Sequence, residues 1–308
     1  MAVRIEMPQL RTLYGQAVLG AARAKLPGLR STPPTSQLPQ ASLLARHPGV
    51  SLEQAERYRR LFSGEPFDGA HRTALPSVLV HIIGFPVQMA LMSREDFPLP
   101  LMGLVHLANR VEHLRPIRLA QPVQVLVSAE NLRAHRRGTQ VDIRVLVLED
   151  SADPENLDES AVLWRGVSTY LSRGIELGEQ TPPDAAETVR KEFIPPVKTA
   201  SWRLGAGAGR SYAAVSGDYN PIHVSNLAAK ALGMPSAILH GMYSAGRMLE
   251  GREPEGAGHS WSIDFAAPVA LPATVAFAVE HVDASQLRFT GWNPRKSRLH
   301  FSAELQLG

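Results

Sequence analysis

Apolar side chains recur at alternate positions through Gln140-Val141-Asp142-Ile143-Arg144-Val145-Leu146-Val147, the period of a strand that buries one face. Runs of this kind predict strands over roughly 103–114, 122–131, 139–149 and 161–172, and again over roughly 259–266, 273–283, 286–292 and 298–306. Consecutive strands joined by short turns favour antiparallel sheets. Two segments are apolar almost throughout, Pro76 to Met92 and Ile238 to Leu249. Each predicts a helix, and the second has almost no polar face, so other structure must wrap it. An antiparallel sheet around a central apolar helix meets that requirement and places the chain in the α+β class.

The same order of elements occurs twice. YRRLFSGE near Tyr58 is echoed by YAAVSGD from Tyr212, and RVEHLRPIRLAQPVQVLVSAENL from Arg110 parallels SIDFAAPVALPATVAFAVEHVDAS from Ser262. Pro116 and Pro268 correspond, as do Ser63-Gly64 and Ser216-Gly217, at an offset of about 152 residues. Each copy starts with a short strand (Ser42 to Ala45; Ala200 to Leu204). A short helix ending at Ser-Gly, a loop, the apolar helix and the run of strands follow. The expected organisation is a lead-in over 1–37, an N-terminal copy over 38–175, a Pro-rich linker over 176–198 and a C-terminal copy over 199–308. The first 26 residues are expected to form a helix packed on the outside, and 27–39, with four Pro, an irregular stretch.

Candidate chemistry is concentrated in SGDYNPIHVSNLAAKALGMPSAILHGM, from Ser216 to Met242. Gly217 is placed to end the preceding helix. Asp218, Asn220 and His223 then fall in a short loop, where Pro221 keeps Asn220 out of the α region and imposes an extended turn. That turn can bring Asp218 and His223 together, although their spacing does not align them on one helix face. His240-Gly241 opens the second apolar helix. The first amides of a helix point out of its end without partners, and Gly241 would let a ligand oxygen approach its N–H with no Cβ in the way. A carboxylate and an imidazole within reach of one water can move protons, and a helix-start amide can hold a developing oxyanion. Together these suit reversible addition of water across the α,β double bond of an acyl thioester, a reaction that needs no metal or redox cofactor.

GDYNPIH followed by HGM resembles the motif of the MaoC-like, (R)-specific enoyl-CoA hydratase family, strongly over Ser211 to about Leu249 and more weakly beyond. The resemblance implies the hot-dog fold. The two copies resemble the double hot-dog members, in which one half is catalytic and the other has lost its residues. It also implies that Asp218 and His223 bind and activate the water, that Asn220 supports the loop, and that Gly241 donates its amide to the thioester carbonyl. The implied reaction interconverts (3R)-hydroxyacyl and trans-2-enoyl thioesters of CoA or acyl-carrier protein. His240, Ser244 and Tyr219 are expected as substrate-binding or loop-supporting residues. Where family members often carry a Ser late in the central helix this chain has Leu249, with Ser244 earlier. In the N-terminal copy, SGEPFDGAH puts Glu65 where Asp218 would be and His71 one residue too far along, with no His-Gly pair, so that half is expected to be inactive. Gly84 and Pro86 interrupt its apolar segment, which either leaves room for an acyl chain or is ordinary core. Two alternatives stay open: a hot-dog thioesterase, and a non-catalytic acyl-binding subunit of a larger complex.

Composition narrows the field. Hydrophobic residues at 44% and charged residues at 20% describe an ordinary globular chain. Formal charge is +3, and aromatics are only 6% with no basic–aromatic interleaving, so nucleic-acid binding has no support. Arg far outnumbers Lys, which suits a phosphate-bearing carrier or reflects the base composition of the gene. The absence of Cys excludes disulfides, thiolate metal sites and cysteine nucleophiles, and fits a cytoplasmic protein. MAVRIEMPQLRTLYG lacks the pattern of a signal peptide, and Leu75 to Met92 is too broken for a membrane span. GAGAGR, from Gly205, has neither the spacing nor the βαβ setting of a dinucleotide loop. His81, His106, His113 and His135 show no metal-ligand spacing, so no metal site is expected. Two hot-dog units in one chain can complete a pseudo-dimer, and further homodimerisation is compatible with the sequence.

Overall fold

The computed structural model describes residues 1–15, 37–62, 74–177, 192–231, 233–254 and 258–308. The echo at Ser63-Gly64, Glu65 and His71 and most of the Pro-rich stretches lie outside the described residues. The chain divides into two compact units. One comprises Met1–His47, Ile83–Leu107 and Val123–Lys191, and the other Pro48–Ile82, Ala108–Pro122 and Glu192–Gly308.

The first unit holds β1 (Ala2–Ile5), β2 (Ser42–His47), β4 (Val123–His135), β5 (Gly138–Glu149) and β6 (Val162–Arg173), hydrogen-bonded in the order β1-β2-β4-β5-β6. All neighbours are antiparallel except β1, which runs parallel to β2 with Ala2 opposite Ser42. The expected N-terminal helix is corrected at its start: Ala2–Ile5 form a strand that satisfies the otherwise bare edge of β2, residues 10–15 are helical, and the remainder of the expected helix lies outside the described residues. The core lies on β4 to β6, where Val125, Val127, Ile143, Val147 and Trp164 are fully buried. Asp142 faces away from the Val141–Ile143 side and is satisfied by Arg133 at 2.8 Å and Thr169 at 2.7 Å. The helix α2 (Ser77–Met92) contributes its later turns to this unit and runs unbroken through Pro86. A Cβ at Gly84 would lie 2.9 Å from Val145 Cγ1, so glycine there admits the valine, which favours ordinary core over an open channel at this point.

The second unit holds β7 (Ala200–Leu204), β8 (His259–Phe265), β9 (Ala273–His281), β10 (Gln286–Asn293), β11 (Arg298–Leu307) and the later half of β3 (Leu104–His113), in the order β3-β8-β11-β10-β9-β7. All pair antiparallel. Its helices are α1 (Leu52–Arg60), α3 (Ala208–Ser216), α4 (Pro221–Val224), α5 (Asn226–Ala231) and α6 (Gly241–Leu249). Ser51 caps α1 by accepting from Gln54 N–H at 3.2 Å, and three arginines near its end complement the helix dipole. Ala245, Met248 and Leu249 of α6 are at most 1% exposed, as the absence of a polar face requires. The helix starts at Gly241, later than the apolar run suggested. Ile238 instead bridges Ala270, and Leu239 N–H bonds Val269 O at 2.9 Å. Strand-type pairing thus claims the residues before His240.

Candidate active site

α3 ends where Gly217 adopts the left-handed conformation (φ 74°) and returns its N–H to Ala213 O at 2.8 Å. Asp218 follows at once. Its amide donates to Ser216 Oγ at 3.1 Å, and its Oδ1 accepts from Asn220 N–H at 3.2 Å. Asn220 is the N-cap of α4, accepting from Ile222 N–H at 3.3 Å, with Pro221 in the first turn. The expected open loop is thus corrected in one respect: His223 sits on a single helical turn, and the Asn-Pro pair starts that turn. Tyr219 points outward and is 36% exposed.

Two carbonyls set the state of the two imidazoles. His223 Nδ1 lies 2.8 Å from Ile238 O. A carbonyl only accepts, so Nδ1 carries the proton and Nε2 of neutral His223 is a free base. Ile238 also donates its N–H to Ile222 O at 3.0 Å, so one residue ties the chain before α6 to α4 through both backbone groups. His240, the N-cap residue of α6, donates from Nε2 to the Asp218 backbone carbonyl at 3.0 Å; the Asp218 carboxylate stands further off, at 3.6 Å. The two rings stack with centroids 3.8 Å apart. Burial pushes both below the ordinary histidine value, His240 to about 3, where neighbouring His223 adds to the effect against a smaller pull from Asp218. Both imidazoles are therefore neutral at pH 7. One donor atom from each of Asp218, His223 and His240 lies within 4.8 Å of the others.

At the start of α6, no hydrogen bond among the described residues uses the Gly241 amide. Glycine at 241 also has a steric reason: a Cβ there would lie 2.7 Å from Phe265 Cζ on β8. Ser244 is buried one turn further along.

Several positioning residues escaped the sequence reading. Tyr212 packs its ring 4.9 Å from that of His240. Ser216 links α3 to Asp218 by accepting from its amide while donating to Tyr212 O at 3.0 Å. Gly209, inside GAGAGR, has no room for a side chain, because a Cβ there would overlap the His223 carbonyl. The Tyr212/Ser216 spacing of one helical turn was the available signal for the first two. Nothing local marked Gly209.

A protein-family model described as MaoC like domain matches residues 192–296. The 3-hydroxyacyl-thioester dehydratase X of Mycobacterium tuberculosis is 35% identical over 276 residues, which cover 88% of this chain and 89% of that protein. The chain belongs to the MaoC-like dehydratase family. The crystal structure of the same mycobacterial dehydratase, HtdX, superposes with a TM-score of 0.70 at 29% identity, covering 87% of this chain and all of that one. A MaoC-like dehydratase from Phytophthora capsici shares the fold at 14% identity and TM-score 0.64, over 91% of this chain and 98% of its own. A further M. tuberculosis protein, described as having a double hot-dog fold, matches at TM-score 0.51 and 12% identity, over 84% of this chain and 92% of its own. This MaoC-like chain is accordingly a double hot-dog of the α+β class, each unit an antiparallel sheet with a central apolar helix, β1 being added in parallel at the edge of the first, and an enzyme of the dehydratase type. Among the described residues no helix is long and apolar enough to cross a membrane.

Proposed function

We propose that this MaoC-like dehydratase interconverts trans-2-enoyl and (3R)-3-hydroxyacyl thioesters of CoA or acyl-carrier protein. The observation that carries the proposal is the fixed tautomer of His223: Nδ1–H is committed to Ile238 O, which leaves Nε2 basic beside the Asp218 carboxylate. In the hydration direction a water held between these two groups loses a proton as its oxygen attacks Cβ. The electron pair of the double bond moves through Cα toward the thioester carbonyl, whose oxygen receives the Gly241 N–H. A proton returned from the Asp218–His223 pair to Cα completes the addition, so that OH and H are gained and the pair is restored. A donor aimed at such an oxyanion is worth roughly 3–4 kcal/mol.

Asn220 and His240 hold the geometry, the first by capping α4 and the second by anchoring the Asp218 carbonyl. Tyr219 and Ser244 are assigned to substrate contact or loop support. The N-terminal copy is assigned a non-catalytic role, and the cytoplasm is the proposed compartment. The test is loss of enoyl absorbance from trans-2-enoyl-CoA substrates of several chain lengths, with chiral analysis of the product. Asp218→Asn and His223→Ala should each lower kcat by about 10²–10⁴-fold. Free thiol released without a 3-hydroxy product would identify a thioesterase instead, and thioester binding without turnover a non-catalytic subunit.

A further inference from the structure

We infer that His113, Glu253 and His259 form a binding site for one first-row divalent cation, with Zn²⁺ the best match to the donor set. The inference stands apart from the proposed reaction and does not depend on it. His113 and His259 are directly opposite each other in the antiparallel pair β3–β8, so their side chains leave the same face of the sheet. Their ring centroids are 5.0 Å apart with planes at 46°. Glu253, just beyond α6, brings Oε1 to 3.2 Å from His259 Nε2. One donor atom from each of the three residues lies within 4.8 Å of the others.

A hydrogen bond between His259 and Glu253 explains only part of this cluster. His113 is 5% exposed; the Arg115 backbone is a polar neighbour of its ring, but neither ring nitrogen makes a hydrogen bond of good geometry among the described residues, and His259 Nδ1 makes none there either. Buried polar atoms without well-formed hydrogen bonds are rare, and their clustering on two facing imidazoles beside a carboxylate calls for a ligand. A cation between the donors supplies it. Metal–donor distances of about 2.0–2.2 Å place tetrahedral ligands about 3.3 Å apart, close to the 3.2 Å already separating His259 Nε2 and Glu253 Oε1. Glu253 Oε1 also accepts from Ser77 N–H at 2.8 Å, the kind of outer contact that orients a ligating carboxylate. Two imidazoles with one carboxylate favour zinc and its neighbours over magnesium or calcium, which prefer all-oxygen sites. A water would complete four-coordination. The Asp218–His223–His240 group also has three donors close together, and it is assigned to the proposed reaction. The proposed site would fasten β3, β8 and the first turn of α2 to one another through Ser77.

The test uses the full chain, stripped with a chelator and titrated with Zn²⁺ by calorimetry and with Co²⁺ by visible absorption. The expected result is one Zn²⁺ per chain, a rise in melting temperature on binding, and the intense visible bands of four-coordinate Co²⁺. His113→Ala and Glu253→Gln should each weaken binding by more than about 10-fold, while His223→Ala should keep it. Absence of stoichiometric binding to the wild-type chain overturns the inference, as does binding that survives both variants or is lost with His223→Ala. Should His113→Ala fail to fold, the wild-type Co²⁺ spectrum decides: weak bands of a six-coordinate ion overturn the site.

Discussion

Replacing Gly209 with alanine should slow the reaction without altering any group that touches substrate. A Cβ at this position overlaps the His223 carbonyl oxygen and lies 3.1 Å from its carbon, with Leu271 Cδ1 at 3.6 Å on another side. Non-bonded heavy atoms rest about 3.5–4.0 Å apart, so α3 and α4 would have to separate by on the order of 1 Å. The obstacle is backbone, and no rotamer change relieves it. His223 would move with its carbonyl, straining the 2.8 Å bond from Nδ1 to Ile238 O that fixes its tautomer. A displacement of this size can cost on the order of 10²-fold in rate. Overpacking of the kind costs about 1–3 kcal/mol of stability, against which the better helix propensity of alanine returns about 1 kcal/mol at most. The assay is kcat/KM for enoyl-CoA hydration alongside urea unfolding of the same preparation. An unchanged kcat/KM in a folded Gly209→Ala variant would refute the claim that close approach of α3 positions His223.

Gly241→Ala offers a contrast, because its obstacle is a side chain. It should cost about 1–3 kcal/mol by crowding Phe265 and should be partly rescued in stability by Phe265→Leu; equal penalties in both backgrounds, measured by urea unfolding, would refute the contact. Stability should also fall on acidification. The folded state holds His240 neutral down to about 3 whereas the unfolded chain takes up its proton near 6.5, so between those values the unfolded state binds more protons and is favoured as pH drops. The contribution is full above pH 6.5 and declines by on the order of 1 kcal/mol per pH unit below it. A urea midpoint with the same acid slope in the wild type and in His240→Gln would contradict this.

Strand positions were largely legible in the sequence because period-two burial is a local property: the roughly predicted 139–149 and 298–306 appear as Gly138–Glu149 and Arg298–Leu307. Helix starts were less legible. Ile238 and Leu239 are as apolar as the helix that follows, and only pairing with Ala270 and Val269 draws them out of it. The strand Ala2–Ile5 was missed for a similar reason, since its partner β2 lies far along the chain.

The residues proposed for the chemistry were legible in one short stretch, Asp218 to Gly241. There a carboxylate, an Asn-Pro turn, an imidazole and a His-Gly helix opening follow in order, each with a local physical consequence. What each group is able to do was decided by tertiary contacts. The proton on His223 is placed by Ile238 O, the loop of Asp218 is anchored by His240, and the need for glycine at 209 and 241 comes from a carbonyl and a phenyl ring brought close by folding. The His113–His259 pair is the extreme case. The two residues lie far apart in sequence, and only the register of β3 against β8 sets them face to face. Local periodicity reports which face of an element is buried; it carries no information about which distant atom will fill the space against that face.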